Sequence, residues 1–373
     1  MIPIVDLKRQ YKQTGEEIEK AVVDVLRSGA YILGPNTKAL EQEFSQYLGT
    51  KHAIGLNSGT DALHLALRAL DIGKGDEVIT VAFTFVATTE SIEIVGATPV
   101  FVDIDPDTFN MDVTQIEDKI TPRTKAIMPV HLYGQPADMD VIMDIAKRHN
   151  LYVIEDCCQA VGAEYKGKKV GSFGDIGAYS FFPTKNLGGM GDGGMAVTNS
   201  DFLKDRMIAL RNHGGAVRYH HDEIGVNSRL DEIQSAILRV KMNYIDEWNK
   251  MRREVAHRYT ELFKDCEDVI TPKELDDTYC VYHQYTIKVP NRDAVQKMLQ
   301  ENGVGAMLYY PIPLHMQKVH AHLGYKMGDL PKTEYNTQHV MSLPMFAELT
   351  AEEQKEIAVS YTHLRAHETP EHL

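Results

Sequence analysis

Residues 178–194 read AYSFFPTKNLGGMGDGG, and the reading of this stretch decides the fold. An apolar run suited to a buried strand ends in one lysine, Lys185, after which glycine dominates. Residues 189–194 fit G-x-G-x-x-G, but a dinucleotide-binding loop must follow a strand and open a helix. Here the glycines lead into MAVTN, which reads as another strand, so they let the backbone turn closely beside a bound group instead. Ligands of open α/β sheets sit at the carboxyl ends of the strands. The question is then what other strand ends stand near Lys185.

Working outward, short β-rich runs alternate with helical ones from about residue 50 to residue 200. The strand-like runs are AIGLN (53–57), EVITVAF (77–83), TPVFVDID (98–105), TKAIMPVHLYG (124–134), YVIEDCCQA (152–160), IGAYSFF (176–182) and GMAVTN (194–199). Segments of helical period such as DALHLALRAL and MDVIMDIAKRHN lie between them. The alternation predicts an α/β fold with a mostly parallel sheet, and near-continuous apolar strands suit a sheet covered on both faces. A long helical pattern free of Gly and Pro follows, from RLDEIQSAIL to HRYTELF. Beyond it come a strand (VYHQYTIKV) and a helix (RDAVQKMLQEN) of their own. The expected division is a large domain over 1–249 and a smaller α+β lobe over 250–358. VSYTHLRAHETPEHL (359–373) breaks off the helix beginning TAEEQKEIA, resembles translated sequencing-adapter read-through, and is expected to be non-native.

Composition removes several function classes. The 373 residues carry a net charge of −14, which offers no electrostatic footprint for nucleic acid. Four cysteines, of which Cys157 and Cys158 are adjacent, are no disulfide framework and point to a reduced, cytoplasmic protein. The N-terminus lacks a signal peptide's pattern, and no apolar run approaches the ~20 residues of a membrane span. The pair His220-His221 is not a metal signature, because adjacent histidines rarely share one ion and no partner follows at ligand spacing. No metal is expected.

The strand ends offer a specific set of groups. Asn57-Ser58-Gly59-Thr60 leads directly into an amphipathic helix, whose first-turn N–H groups favour an anion; Ser58 or Thr60 could equally be an ordinary N-cap. Phe83 and Phe85 share one face if their strand continues, and an aromatic just past a strand end can cover a flat ring. Glu155 and Asp156 end an apolar run, where acids are costly unless paired or solvated. Asp156 could hold a buried cation such as a protonated ring nitrogen, with Gln159 a hydrogen-bonding partner of the same ring. Ser180 could hold a phosphate. Lys185, desolvated, could serve as a nucleophile toward carbonyls. An anion site, an aromatic, a strand-end acid and a lysine are together what pyridoxal phosphate requires.

The sequence resembles the DegT/StrS family of nucleotide-sugar aminotransferases. The likeness runs from SGAYILGP through NSGTDALHLAL, VIEDCCQAVGA, SFFPTKNLGGMGDGG and NSRLDEIQSAIL to YYPIPLH and SLPM. It implies the three-layer aspartate-aminotransferase (type I) fold with a seven-stranded, mostly parallel sheet. It implies that Lys185 is the internal Schiff-base lysine, Asp156 the partner of the pyridine nitrogen and Phe85 the ring that stacks on the cofactor. Gln159 would sit near the phenolic oxygen, while Gly59, Thr60, Asp61 (through its backbone) and Ser180 would hold the phosphate. Asn227 would reach the phosphate of the neighbouring subunit, making a homodimer with shared active sites. Members with histidine in place of the lysine dehydrate sugars, so Lys185 favours amino transfer. The resemblance further implies glutamate as amino donor and a C3 ketone of a nucleotide hexose as acceptor. His213, Arg229, Tyr309 and Tyr310 are candidate contacts to that substrate; each could equally serve inter-subunit packing. Tyr309 stands where some uronate-acting members have histidine, which weighs against a uronate. The alternatives are a C4-keto sugar aminotransferase, a sugar dehydratase, or a non-catalytic regulatory protein on the same fold.

Overall fold

The computed structural model describes residues 1–215, 217 and 219–367. Seven strands form the large sheet: β1 (His52–Leu56), β2 (Glu77–Val81), β3 (Thr98–Val102), β4 (Thr124–Ile127), β5 (Tyr152–Asp156), β6 (Ile176–Ser180) and β7 (Gly194–Thr198). Their spatial order is β1-β7-β6-β5-β4-β2-β3. The pairs β3/β2, β2/β4, β4/β5 and β5/β6 are parallel. Strand β7 runs antiparallel to both β6 and β1.

Each of the seven expected runs holds one of these strands, because both faces of the sheet are covered. Alternate residues divide between two cores. Ile54, Val78, Ala126, Ile154, Ala178 and Ala196 face one layer, packed with Leu63 and Leu67 of helix α3 (Gly59–Ala69) and with Met207 of α6 (Asp201–Arg211). Ile79, Ile127 and Val153 face the other, against Ile142 and Ile145 of α5 (Met139–His149). Ala53, Tyr179 and Val197 meet Phe44 of α2 (Pro35–Leu48) on that same side. Helix, sheet and helix thus make the three layers of an α/β fold. Several expected runs outlast their strands. The run 124–134 leaves β4 after Ile127, and Val130 instead bridges to Asp156. Phe83 and Phe85 do not share a face, since β2 stops at Val81; Phe83 is in the core and Phe85 is 54% exposed.

The long helical pattern after residue 229 is two helices, α7 (Glu232–Met242) and α8 (Ile245–Phe263), parted at Asn243 and Tyr244. Residue 249, where the sequence suggested the large domain to end, lies inside α8. The C-terminal half of α8 contributes Val255, Tyr259 and Phe263 to a further apolar core. Strands β8 (Tyr285–Lys288) and β9 (Val340–Leu343), paired antiparallel, pack there with helices α9 (Arg292–Glu301) and α11 (Ala351–His367). Ile2 joins the same core: its N–H donates to the Gly303 carbonyl (2.8 Å) and its carbonyl accepts from Gly305 N–H (2.7 Å). Of the expected tail, residues 359–367 continue α11, and Tyr361 is buried edge-on to Phe263 at 5.7 Å. Residues 368–373 lie outside the described residues. No helix among the described residues is long and apolar enough to cross a membrane.

Candidate active site

The end of β5 separates its two acids by strand parity. Glu155 is fully buried and accepts N–H bonds from Gly171 (2.6 Å), Phe173 (2.8 Å) and Gly174 (2.7 Å). His131 completes the set at 3.1 Å. Because Ala137 N–H donates to His131 Nδ1 (3.0 Å), the proton sits on Nε2, which donates to Glu155. His131, Glu155 and Cys157 lie close enough together to suggest a metal. The Glu155 oxygens are already taken by four donors, so the cluster organises the 171–174 turn instead. Asp156 points the other way, into a cavity. Its Oδ2 accepts from Thr88 Oγ1 (2.8 Å) and its Oδ1 from Cys158 N–H (3.1 Å). Thr88, having given its hydrogen to Asp156, accepts from Thr84 (3.0 Å).

Helix α3 supplies the second wall. Ser58 caps it, accepting from Asp61 N–H at 3.0 Å, and the Ser58 carbonyl accepts from Ala62 N–H. The Gly59 and Thr60 N–H groups are the ones a helix start cannot use internally, and they point at the cavity with the helix dipole behind them. A Cβ on Gly59 would stand 2.7 Å from Ser180 Cβ and 2.8 Å from Cys158 Sγ, and one on Gly194 would collide with the Ser58 carbonyl. Glycine at both places lets the turn, β6 and β7 approach closely at the edge of the cavity. Asp61 itself faces away, its carboxylate accepting from Ser228 Oγ (2.7 Å).

Lys185 follows β6 in a tight turn, its N–H donating to the Phe182 carbonyl (2.8 Å). The cavity it enters has a volume of about 370 Å³ and is shared by Gly59, Thr60, Phe85, Asp156, Gln159, Ser180, Tyr309 and Tyr310. Gln159 is fixed between two partners: Oε1 accepts from Tyr133 N–H (2.8 Å), and Nε2 donates to the Tyr310 hydroxyl (3.1 Å). The Phe85 ring lies 6.1 Å from that of Tyr310. Tyr133 in turn hydrogen-bonds the Tyr309 carbonyl, so the small lobe's contribution to the cavity is tied to the sheet.

Residues 12–361 match the model of the DegT/DnrJ/EryC1/StrS aminotransferase family. The chain belongs to that family. A "Pleiotropic regulatory protein" of Geobacillus stearothermophilus is 52% identical, over 97% of this chain and 99% of the relative. A UDP-N-acetyl-3-dehydro-alpha-D-glucosamine 3-aminotransferase of Acidithiobacillus ferrooxidans is 49% identical, over 96% of each chain. The crystal structure of S. venezuelae DesV in complex with a ketimine intermediate superposes with a TM-score of 0.95 at 40% identity, covering 97% of this chain and 98% of that one.

In this DegT-family aminotransferase burial holds the Lys185 amine below its usual pKa, with Cys158 and Asp156 pulling the other way. Burial holds the Cys158 thiol well above its own, so the sulfur stays protonated beside it. The other candidates fall elsewhere. Asn227 is exposed and bridges to Asn212, outside the cavity. His213 and Arg229 line a separate, open concavity with Tyr219 and His221. His221 Nδ1 lies 2.8 Å from the His213 carbonyl, and the His220-His221 pair belongs to no metal-type cluster among the described residues.

Four contributors carry no local signal in the sequence: Thr88, His283, Asn186 and Lys241. Thr88 is one of several threonines in a run, and His283 comes from the small lobe. Lys241, buried on α7, donates to the Gly188 carbonyl at 2.7 Å and so pins the loop that follows Lys185. Burial lowers its pKa to about 8, against a modest opposing pull from Glu348. Between about pH 8 and the unfolded value near 10.5, the unfolded chain therefore holds a proton that the folded one lacks, and stability rises with pH through that window. Lys241→Met is expected to remove this rise, worth at most about 3 kcal/mol. Urea unfolding of both proteins at pH 7.5 and 10 checks it; equal pH dependence in both would contradict it.

Proposed function

We propose that this aminotransferase binds pyridoxal phosphate at Lys185 and transfers an amino group from glutamate to a keto carbon, C3, of a nucleotide-linked hexose. The observation that carries the reading is the convergence of Lys185, Asp156 and the Gly59–Ser180 recess on one cavity. The residues present fit the cofactor: the first-turn residues Gly59 and Thr60 and the Ser180 hydroxyl line the same cavity as Asp156 and Lys185, a donor set suited to a phosphate. When bound, pyridoxal phosphate supplies an aldehyde that holds an amine covalently and a ring that draws electrons from the bond being broken.

The chain's residues do the rest. Gly59 and Thr60 N–H and the Ser180 hydroxyl bind the phosphate. Asp156, held by Thr88 and the Cys158 N–H, keeps a proton on the ring nitrogen. Phe85 covers the ring, and Gln159 has a second amide hydrogen for the phenolic oxygen. Lys185 would hold the cofactor at rest, and its freed amine would take the proton from the substrate carbon and give it back. Burial favours its neutral, base-competent form. Tyr309 and Tyr310 border the space left for a sugar.

The exposed Asn227, and Val217 and Ile224 at 63% and 84% exposure, support a homodimer in which this edge reaches the neighbouring subunit's site. The name of the 49%-identical relative supports C3 over C4. A regulatory role, suggested by the name of another relative, is not favoured, because the groups a transaminase needs all face the cavity.

The test is the visible spectrum of the protein loaded with pyridoxal phosphate, before and after glutamate, followed by nuclear magnetic resonance of the product from a 3-keto and a 4-keto nucleotide hexose. The expected result is collapse of the visible band and an amine at C3. A band that ignores glutamate overturns the donor. An amine at C4, or a dehydrated product, overturns the position or the reaction.

A further inference from the structure

Beside Lys185 the cavity contains a second nitrogen group that the sequence did not single out. His283 lines the same cavity and is buried. Its backbone is held on both sides: its N–H donates to the Tyr133 carbonyl (2.8 Å), and its carbonyl accepts from Arg252 Nη1 (3.3 Å). The ring orientation follows from Asn186, the residue after Lys185. Asn186 Nδ2 donates to Asn249 Oδ1 (2.8 Å) and to the Val281 carbonyl (3.0 Å), which leaves its Oδ1 as acceptor. His283 Nδ1, 3.2 Å from that oxygen, must therefore carry the hydrogen. Nε2 is left bare. Burial, then the charges of Lys185 and Arg252, hold the ring's pKa well below the ordinary value and keep it neutral.

We propose that His283 is a positioning residue for the Lys185 amine: its bare Nε2 accepts one N–H of the displaced amine and turns that nitrogen's lone pair away from itself, into the cavity. The inference rests on Lys185 being the amine that exchanges with substrate. A free lysine amine is a flexible group with two hydrogens and one lone pair. A fixed acceptor for one hydrogen removes the rotamers in which the lone pair faces the wall. Asp156, held by Thr88 and the Cys158 N–H, is the partner of the ring nitrogen in the proposed function, and Arg252 is a donor only.

Two substitutions separate positioning from packing. His283→Asn keeps a donor toward Asn186 but has no nitrogen where Nε2 lies; His283→Gln reaches that place with an amide oxygen. In the cofactor-free protein, the pH dependence of Lys185 reductive methylation, read by peptide mapping, gives the lysine's titration midpoint. An acceptor favours the ammonium over the amine, so His283→Asn is expected to lower the midpoint by about one pH unit. His283→Gln is expected to recover at least half of the shift. Identical midpoints in wild type and His283→Asn overturn the proposal. Nitrogen NMR of histidine-labelled, cofactor-free protein tests it even where a variant fails to fold. The His283 Nε2 signal should be that of an unprotonated nitrogen from pH 6 to 8 and should move on Lys185→Ala. A protonated or unmoved Nε2 overturns the proposal. A visible cofactor band in wild type together with unmoved midpoints rejects the role of His283 alone. Absence of that band after loading rejects the reading of Lys185.

Discussion

Lys185→Ala is expected to abolish the visible band of the cofactor-loaded protein and to lower turnover by a factor on the order of 10⁴, with the fold and subunit assembly unchanged. The loss is large because, in the proposed function, one amine holds the cofactor at rest and carries the proton during transfer. The fold should tolerate the change. The contribution of Lys185 to the turn is a backbone N–H that alanine keeps. Removing a desolvated amine also removes its burial cost. Absorbance, steady-state turnover and size-exclusion chromatography together check the result; turnover within tenfold of wild type would sink the assignment.

The second large effect is expected at Asp156→Asn, with turnover falling on the order of a hundred- to a thousandfold and phosphate binding retained. Asparagine has the carboxylate's shape, so Oδ1 can still accept from the Cys158 N–H. Thr88, which now gives its hydrogen to Asp156, would instead accept from the amide and donate to Thr84. What is lost is negative charge, and with it, in the proposed function, the means of keeping a proton on the ring nitrogen. Turnover is the measure of that charge. Cofactor retention on dialysis reports separately on the recess between Gly59 and Ser180, and turnover near wild type would mean that Asp156 is not the ring's partner.

The sheet was legible in the sequence because both of its faces are covered: residues such as Val78 and Ile79 are apolar in succession whichever core they meet. Strand ends were not, because apolarity continues past the last ladder bond; Ala82 and Phe83 are as buried as β2 itself. The direction of β7 leaves no mark, since a strand buried on both faces reads alike in either sense. In the site, residues next to a strand end could be found by their place in a run: Asp156 after YVIE, Lys185 after SFFPT. Thr88 and His283 reach the cavity only through tertiary packing. His213 and Arg229, candidate contacts to substrate or to a neighbouring subunit, line a concavity separate from the Lys185 cavity. The small lobe's core extends to Ile2, far outside the segment that supplies the rest of it.

That last feature has a bearing on the order in which the chain acquires its shape. Ile2 leaves the ribosome some three hundred residues before its two backbone partners, Gly303 and Gly305. At the usual pace of synthesis the wait is on the order of 15–60 s, during which the first strand-like residues have no place to dock. The sheet from β1 to β7 can close meanwhile, as its strands are all made. The core that Ile2 shares becomes complete only when segments some three hundred residues apart meet. A nascent chain stalled at about residue 270 should therefore protect the sheet from protease while leaving Ile2 open to attack.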